Sequence, residues 1–204
     1  MPLKISKTSV DIFLCHRPFG IMRTPAAAEC LRAARALLNL SQRKVAEGAS
    51  VTQRSLSFAE TTENVLLETN LQLVDYYVSE GIEFLGDASI GKDVVRAGAR
   101  FAPPPSPDAG AAVKSNFRTV NFPIPFLAAR ALMGKEQAEI ADALGIRVAL
   151  IRDLERGKPS TPSHDQLRKW YEAKGIEFLG WGDVSTRKYY GVGVRWRASP
   201  KATE

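Results

Sequence analysis

The sequence predicts a mainly α protein of two tandem four-helix domains, each followed by a short two-stranded β-hairpin. Three observations carry that expectation: an internal repeat over most of the chain, a Pro-rich break between the copies, and a hydrophobic period that changes from 3.6 to 2 late in each copy.

The hexapeptide Gly-Ile-Glu-Phe-Leu-Gly occurs at Gly81–Gly86 and again at Gly175–Gly180, a shift of 94 residues. Upstream, Ala34-Arg35-Ala36-Leu37 matches Ala129-Arg130-Ala131-Leu132 at a shift of 95. Gln42, Ala46 and Glu60 match Gln137, Ala141 and Glu155 at the same shift, so one single-residue indel reconciles the two registers. Downstream, Gly98-Ala99-Arg100-Phe101 matches Gly193-Val194-Arg195-Trp196. Between the copies, residues 103–110 (Pro-Pro-Pro-Ser-Pro-Asp-Ala-Gly) stiffen or loosen a chain without building a core. The expected organisation is an N-terminal arm over 1–22, a first domain over 23–101, a linker over 102–122, a second domain over 123–197 and a polar tail over 198–204.

Within the first copy, Leu31, Ala34 and Leu38 recur at helical spacing and predict a helix ending near Leu40. Ser41 then reads as the N-cap of a short second helix with Val45 and Ala49 facing inward, and Thr52 as the N-cap of a third, running through Glu60. Two short helices separated by a tight turn form a helix-turn-helix. A longer helix from about Asn64 to Glu80 is expected to bury Leu67, Leu71, Val74 and Val78. The second copy repeats the order over 128–133, 135–144 and 147–156, followed by a helix opened by Thr161-Pro162 with Leu167, Trp170 and Tyr171 inside. Ile82 and Phe84, like Ile176 and Phe178, then alternate with Glu83 and Glu177, and Val192, Val194 and Trp196 alternate with Gly193, Arg195 and Arg197. An isolated two-stranded hairpin is marginally stable, so each must pack on its own helices or add to another sheet edge.

Composition bounds the function classes. The 28 Lys+Arg against 22 Asp+Glu give +6, with 12 basic and 11 acidic residues in 1–101 and 16 and 11 in 102–204, so the positive excess lies in the second half. A basic balance favours polyanionic partners, though many proteins that bind none share it. Cys15 and Cys30 are too few for a disulfide framework and lack metal-ligand spacing, which points to a reducing cytosol. The apolar run Val10–Cys15 is interrupted by Asp11 and falls short of a membrane span or signal core, so no membrane association is expected. His16 and His164 are the only histidines, and no Gly-rich phosphate loop or carboxylate cluster accompanies them. No catalytic residue, metal or cofactor is expected; His164 reads as a surface or capping residue.

The pattern Ala-Arg-Ala-Leu-Leu-x-x-x-Gln-x-x-x-Ala at Ala34–Ala46 and Ala-Arg-Ala-Leu-Met-x-x-x-Gln-x-x-x-Ala at Ala129–Ala141 resembles the Cro/phage-repressor-type regulators, the xenobiotic-response-element family. In the second copy the likeness continues through Leu144-Gly145-Ile146 to the stretch Ile151-Arg152-Asp153-Leu154-Glu155-Arg156-Gly157. The resemblance implies a transcriptional regulator that binds double-stranded DNA in the cytoplasm, associated with the nucleoid. It implies phosphate contacts from Gln42 and Gln137, where an amide at a helix start fixes register on the backbone; a solvated surface glutamine is the plainer alternative. It further implies ion pairs Arg35–Glu60 and Arg130–Glu155 that fix the fold without chemistry.

Base reading falls to the start and open face of the third helix of each copy, because the major groove admits a helix and presents a distinguishable code. In copy one that face is Thr52, Gln53, Arg54, Ser57 and Phe58, with Arg43 beside Gln42; Gln53 suits adenine and Arg54 guanine. In copy two it is Arg147, Val148, Ala149, Arg152 and Asp153, with Lys158 following, a face with little hydrogen-bonding vocabulary. Copy two keeps Gly145 in the turn, whereas copy one carries Ser50 there, at a cost of about 1 kcal/mol if left-handed. Arg187, Lys188, Arg195 and Arg197 follow a phosphate backbone, insert into a minor groove or face solvent, and the hairpin edges either stay free or form a homodimer. The competing reading is a protein-interaction module of the antitoxin or anti-activator type that keeps the helices with weak base readout.

Overall fold

The computed structural model describes residues 24–62, 65–87, 95–158 and 161–197. The expected arm over 1–22, with Cys15 and His16, and the tail over 198–204 lie outside the described residues.

The first repeat runs α1 (Ala28–Leu38), α2 (Gln42–Gly48), α3 (Gln53–Ala59), α4 (Leu67–Ser79), β1 (Ile82–Asp87) and β2 (Val95–Phe101). A single-turn helix α5 (Ala111–Lys114) lies in the connection. The second repeat runs α6 (Phe126–Met133), α7 (Gln137–Leu144), α8 (Val148–Glu155), α9 (Thr161–Ala173), β3 (Ile176–Asp183) and β4 (Lys188–Trp196).

The expectation of a mainly α chain of two tandem domains with separate hairpins is corrected by the sheet. All four strands form one antiparallel sheet in the order β1-β2-β4-β3, and the protein is a mixed α/β fold with 48% helix and 19% strand. The joint is β2 against β4, with Gly98 opposite Arg195, Ala99 opposite Val194 and Arg100 opposite Gly193. Each two-stranded ribbon has an unpaired inner edge; pairing those edges within the chain satisfies both ladders at once. The glycines make the approach feasible. A Cβ on Gly98 would stand 2.2 Å from the Val194 carbonyl oxygen and 2.5 Å from the Arg195 Cβ, and one on Gly193 would stand 2.2 Å from the Arg100 Cβ. From the inner strands to the outer ones, Arg100 of β2 pairs with Glu83 of β1 at 2.9 Å and Arg195 of β4 with Glu177 of β3 at 2.8 Å.

The helices continue the union. α1 packs on α6 as well as on β2, and the small residues Ala33, Ala34, Ala128 and Ala129 are fully buried. Leu31, Leu73, Tyr77 and Phe101 of the first repeat share one core with Phe126, Leu167, Tyr171 and Val194 of the second. Burial of this apolar surface at about 25 cal/mol per Å² is the main stabilising term, and it is not divisible between the repeats. Arg32 of α1 also reaches the C-terminal carbonyls of α6.

α4 buries Asn70, Leu73, Val74 and Tyr77, whereas Leu67 is 60% exposed and Leu71 and Val78 are half-buried. The inner stripe therefore differs from the aliphatic spacing expected. Tyr77 packs edge-on against Phe84 of β1, and the Asn70 amide exchanges two hydrogen bonds with the Ala26 backbone, so two polar-tipped side chains set the helix rotation. The connection is tied down by Lys114, which pairs with Asp183 at 3.0 Å and sits over the Trp181 ring, and by a bridge between Val120 and Tyr189. Among the described residues no helix is long and apolar enough to cross a membrane.

Candidate nucleic-acid interface

The α2–α3 pair is built by side-chain caps. The Ser41 hydroxyl accepts from the Lys44 N–H and the Thr52 hydroxyl from the Ser55 N–H, satisfying donors that a short helix leaves free. Ser50, in the intervening turn, has φ +55°, the left-handed conformation that its counterpart Gly145 adopts at φ +64°. α3 buries Leu56 and Ala59 and turns the opposite face outward. There Thr52, Gln53 and Arg54 are exposed, Ser57 is half-buried and Phe58 is 53% exposed. Gln42, Gln53, Arg54, Ser57, Phe58 and Thr61 border a shallow concavity of about 420 Å³. Arg43 stands on the surface beside it, loosely paired with Glu47 at 3.7 Å.

Gln42 and the Arg35–Glu60 pair, read separately from sequence, form one network. Arg35 donates from Nε and Nη2 to the two Glu60 oxygens at 2.6 and 2.8 Å, and Gln42 donates from Nε2 to Glu60 Oε2 at 2.7 Å. Burial opposes the Arg35 charge, but the Glu60 carboxylate outweighs it and holds the guanidinium pKa above its ordinary value. One amide hydrogen of Gln42 is thus committed, leaving a second N–H and the carbonyl oxygen for an outside partner. Behind the pair lies the Tyr77 hydroxyl, buried without a hydrogen-bond partner and held neutral by burial, which pushes its pKa well up.

The second repeat reproduces the network atom for atom. Arg130 donates from Nε and Nη2 to Glu155, Gln137 donates to Glu155 Oε2 at 2.7 Å, and the unpartnered hydroxyl behind is that of Tyr171. Its third helix, α8, is different. Arg147, at the N-cap of α8, and Arg152 are exposed, whereas Val148 and Leu150 are half-buried and pack against the core. Lys158 is paired with Asp153 at 2.8 Å. The open face of α8 is therefore cationic and carries Arg147, Arg152 and, one turn beyond, Arg156.

Other candidates divide. Arg195 is engaged by Glu177, while Arg187, Lys188 and Arg197 are exposed. His164 lies edge-on to Phe126 with ring centroids 4.9 Å apart, a packing arrangement. Cys30 is buried, which pushes its thiol up to about 12. Three residues were not singled out from sequence: Arg32 and Lys114, which hold separate segments together, and Arg156, which stands exposed at the end of α8. Their only sequence signal is a cation without a counterpart in the other repeat, as Leu127 stands opposite Arg32, and Thr61 opposite Arg156.

No family model, curated protein or solved structure matches the chain.

Proposed function

We propose that the protein is a sequence-specific regulator of transcription that binds double-stranded DNA, with α3 and α8 each directed to one half-site. The observation that carries this reading is the α3 face. Gln53 and Arg54 are exposed side by side at the start of the helix, and among the described residues neither is held by another side chain. An amide and a guanidinium so placed match the bidentate edges of adenine and guanine. Gln42, oriented by Glu60, supplies a donor for the adjacent phosphate. The motif likeness to Cro/phage-repressor-type regulators, and the cytoplasmic, nucleoid-associated setting it brings, support the same reading.

The two halves are unequal in this reading. α3 discriminates among sequences through Thr52, Gln53, Arg54 and Ser57, while α8 adds affinity through Arg147 and Arg152 with Val148 behind them. Lys158 contributes less, because Asp153 neutralises it. The operator is accordingly split, with one informative and one permissive half. No cofactor and no catalytic step belong to the reading.

Fluorescence anisotropy with labelled duplexes over a salt series tests it. The expected result is an affinity that falls steeply with salt, by a slope of about −0.9 per neutralised phosphate in a log–log plot. Absence of DNA binding at low salt contradicts the reading.

A second reading has its own observation. Phe58 is 53% exposed, Leu67 60% and Leu66 78%, and a concavity of about 310 Å³ lies among Arg54, Phe58, Val65 and Leu66. Such an apolar cluster suits a protein partner, as in an antitoxin or anti-activator module. A homodimer through strand edges would have to use β1 or β3, since β2 and β4 occupy each other.

A further inference from the structure

A cleft of about 530 Å³ opens beside the C-terminal end of α8, between the two repeats. Its apolar wall comes from separate stretches of chain: Leu37 at the end of α1, and Phe122 and Ile124 in the segment that leads into α6. Its polar wall comes from Asn39, Gln137, Arg152 and Arg156, together with Arg130 and Glu155, which neutralise each other. Among the described residues neither Arg152 nor Arg156 forms an ion pair, whereas Arg130 is taken up by Glu155 and Lys158 by Asp153. Two guanidiniums outside any ion pair, with Asp153 as their nearest named counter-charge, therefore border the same cleft as the exposed Phe122 ring and the half-buried Leu37 and Ile124.

The two walls adjoin. A Cβ on Gly157 would stand 2.5 Å from the Phe122 ring, so the ring lies directly over the turn that follows Arg156. Among the described residues the first repeat has no equivalent. Ser57 and Thr61 occupy the positions of Arg152 and Arg156, and the concavity there has no wall from the connecting segment. The feature is thus specific to the second half and is created by residues 120–125. Its size lies within the roughly 300–1,000 Å³ of small-molecule sites, which combine an apolar lining with a few convergent polar groups.

We propose that this cleft binds a small amphipathic carboxylate, its carboxylate held by Arg152 and Arg156 and its alkyl or aryl body laid against Phe122, Leu37 and Ile124. The planar guanidinium fork matches a carboxylate in two parallel hydrogen bonds, and the apolar body removes the Phe122 ring from water. Binding requires nothing from DNA. Because Arg152 also belongs to the proposed DNA face, ligand and duplex compete for it, and that competition alone rests on the preceding reading.

Isothermal titration of the full chain with octanoate and with 4-phenylbutyrate, in the absence of DNA, tests the proposal. The expected result is one site with a Kd of about 1 mM or tighter for both, and at least about tenfold weaker binding of acetate and of uncharged octanamide. Arg152→Gln/Arg156→Gln and Phe122→Ala should each lower affinity about tenfold or more while leaving the thermal midpoint close to that of the parent, since all three side chains are exposed. Failure of both carboxylates to bind, equal binding of octanamide, or unchanged affinity in the double arginine variant would overturn it. None of these outcomes depends on whether the protein binds DNA.

Discussion

Arg32 on α1 donates from Nε to the carbonyl oxygen of Ala131 on α6 at 2.9 Å, a contact that joins the first sequence repeat to the second. The same guanidinium reaches the Leu132 carbonyl at 3.4 Å and the carbonyl of Glu60 at the end of α3. It thereby serves carbonyls that helix ends leave without partners and connects α3 of one repeat to α6, the first helix of the other. With β2 paired to β4 on the sheet side, α3 and α8 are carried by one sheet and one shared core.

Arg32→Leu, which installs the residue found at the equivalent position 127, should destabilise the protein by about 1–3 kcal/mol through the stranded carbonyls. Chemical denaturation checks this. It should also broaden the spacing tolerated between half-sites in DNA binding.

The Arg–Glu–Gln networks should be worth similar amounts in the two repeats. Glu60 and Glu155 side chains are 3% and 5% exposed, so Glu60→Ala or Glu155→Ala strands a half-buried arginine. About 3 kcal/mol is expected for each, the lower end for a broken buried pair, because Arg35 and Arg130 keep 25% and 17% of their surface in water. Arg35→Met/Glu60→Met should recover much of the loss. Equilibrium unfolding of the singles and the double measures both.

Gly98→Ala should separate β2 from β4, because the new Cβ meets backbone and no flexible side-chain end. The expected loss is about 1–3 kcal/mol, with faster amide exchange at Ala99 and Val194. Exchange unchanged at those two residues contradicts the cross-repeat pairing.

Asp183 gives the fold an acid-sensitive contact. The Ser185 hydroxyl, then Lys114, hold its carboxyl well below the ordinary carboxylate range. A depressed folded pKa contributes stability that is present above the unfolded value, near 4, and disappears as pH falls through the folded value. The thermal midpoint of Asp183→Asn should therefore lie below that of the parent at pH 6, and the gap should begin to narrow only as the pH falls below about 4. Thermal scans across pH show whether it does.

Much of this was legible in sequence because local signals carried it. The doubled hexapeptide located β1 and β3, the Ser41 and Thr52 caps located α2 and α3, and the motif resemblance implied the ion pairs Arg35–Glu60 and Arg130–Glu155 that the structure contains. What escaped was non-local. The union of the hairpins depends on three residue pairs nearly a hundred positions apart, and its one trace in sequence is the doubled Gly-x-Arg of Gly98–Arg100 and Gly193–Arg195, in which each glycine makes room for the other copy's arginine. The rotation of α4 escaped because Asn70 and Tyr77, polar at their tips, displaced Leu67 and Leu71 from the inner stripe. At the candidate interface the caps and open residues of α3 were readable. The turning of Val148 toward the core was not, since an eight-residue helix gives too few apolar positions to fix its rotation.

Enrichment of bound duplexes from a randomised library, at a stated salt concentration and with the full chain, bears most directly on α3 as the reading helix. The parent should select a motif of two unequal halves, and Gln53→Ala/Arg54→Ala should erase the informative half while the weaker one persists, each contact being worth about 1–3 kcal/mol. Recovery of no motif from the parent, or of the same motif from the double variant, would contradict the account.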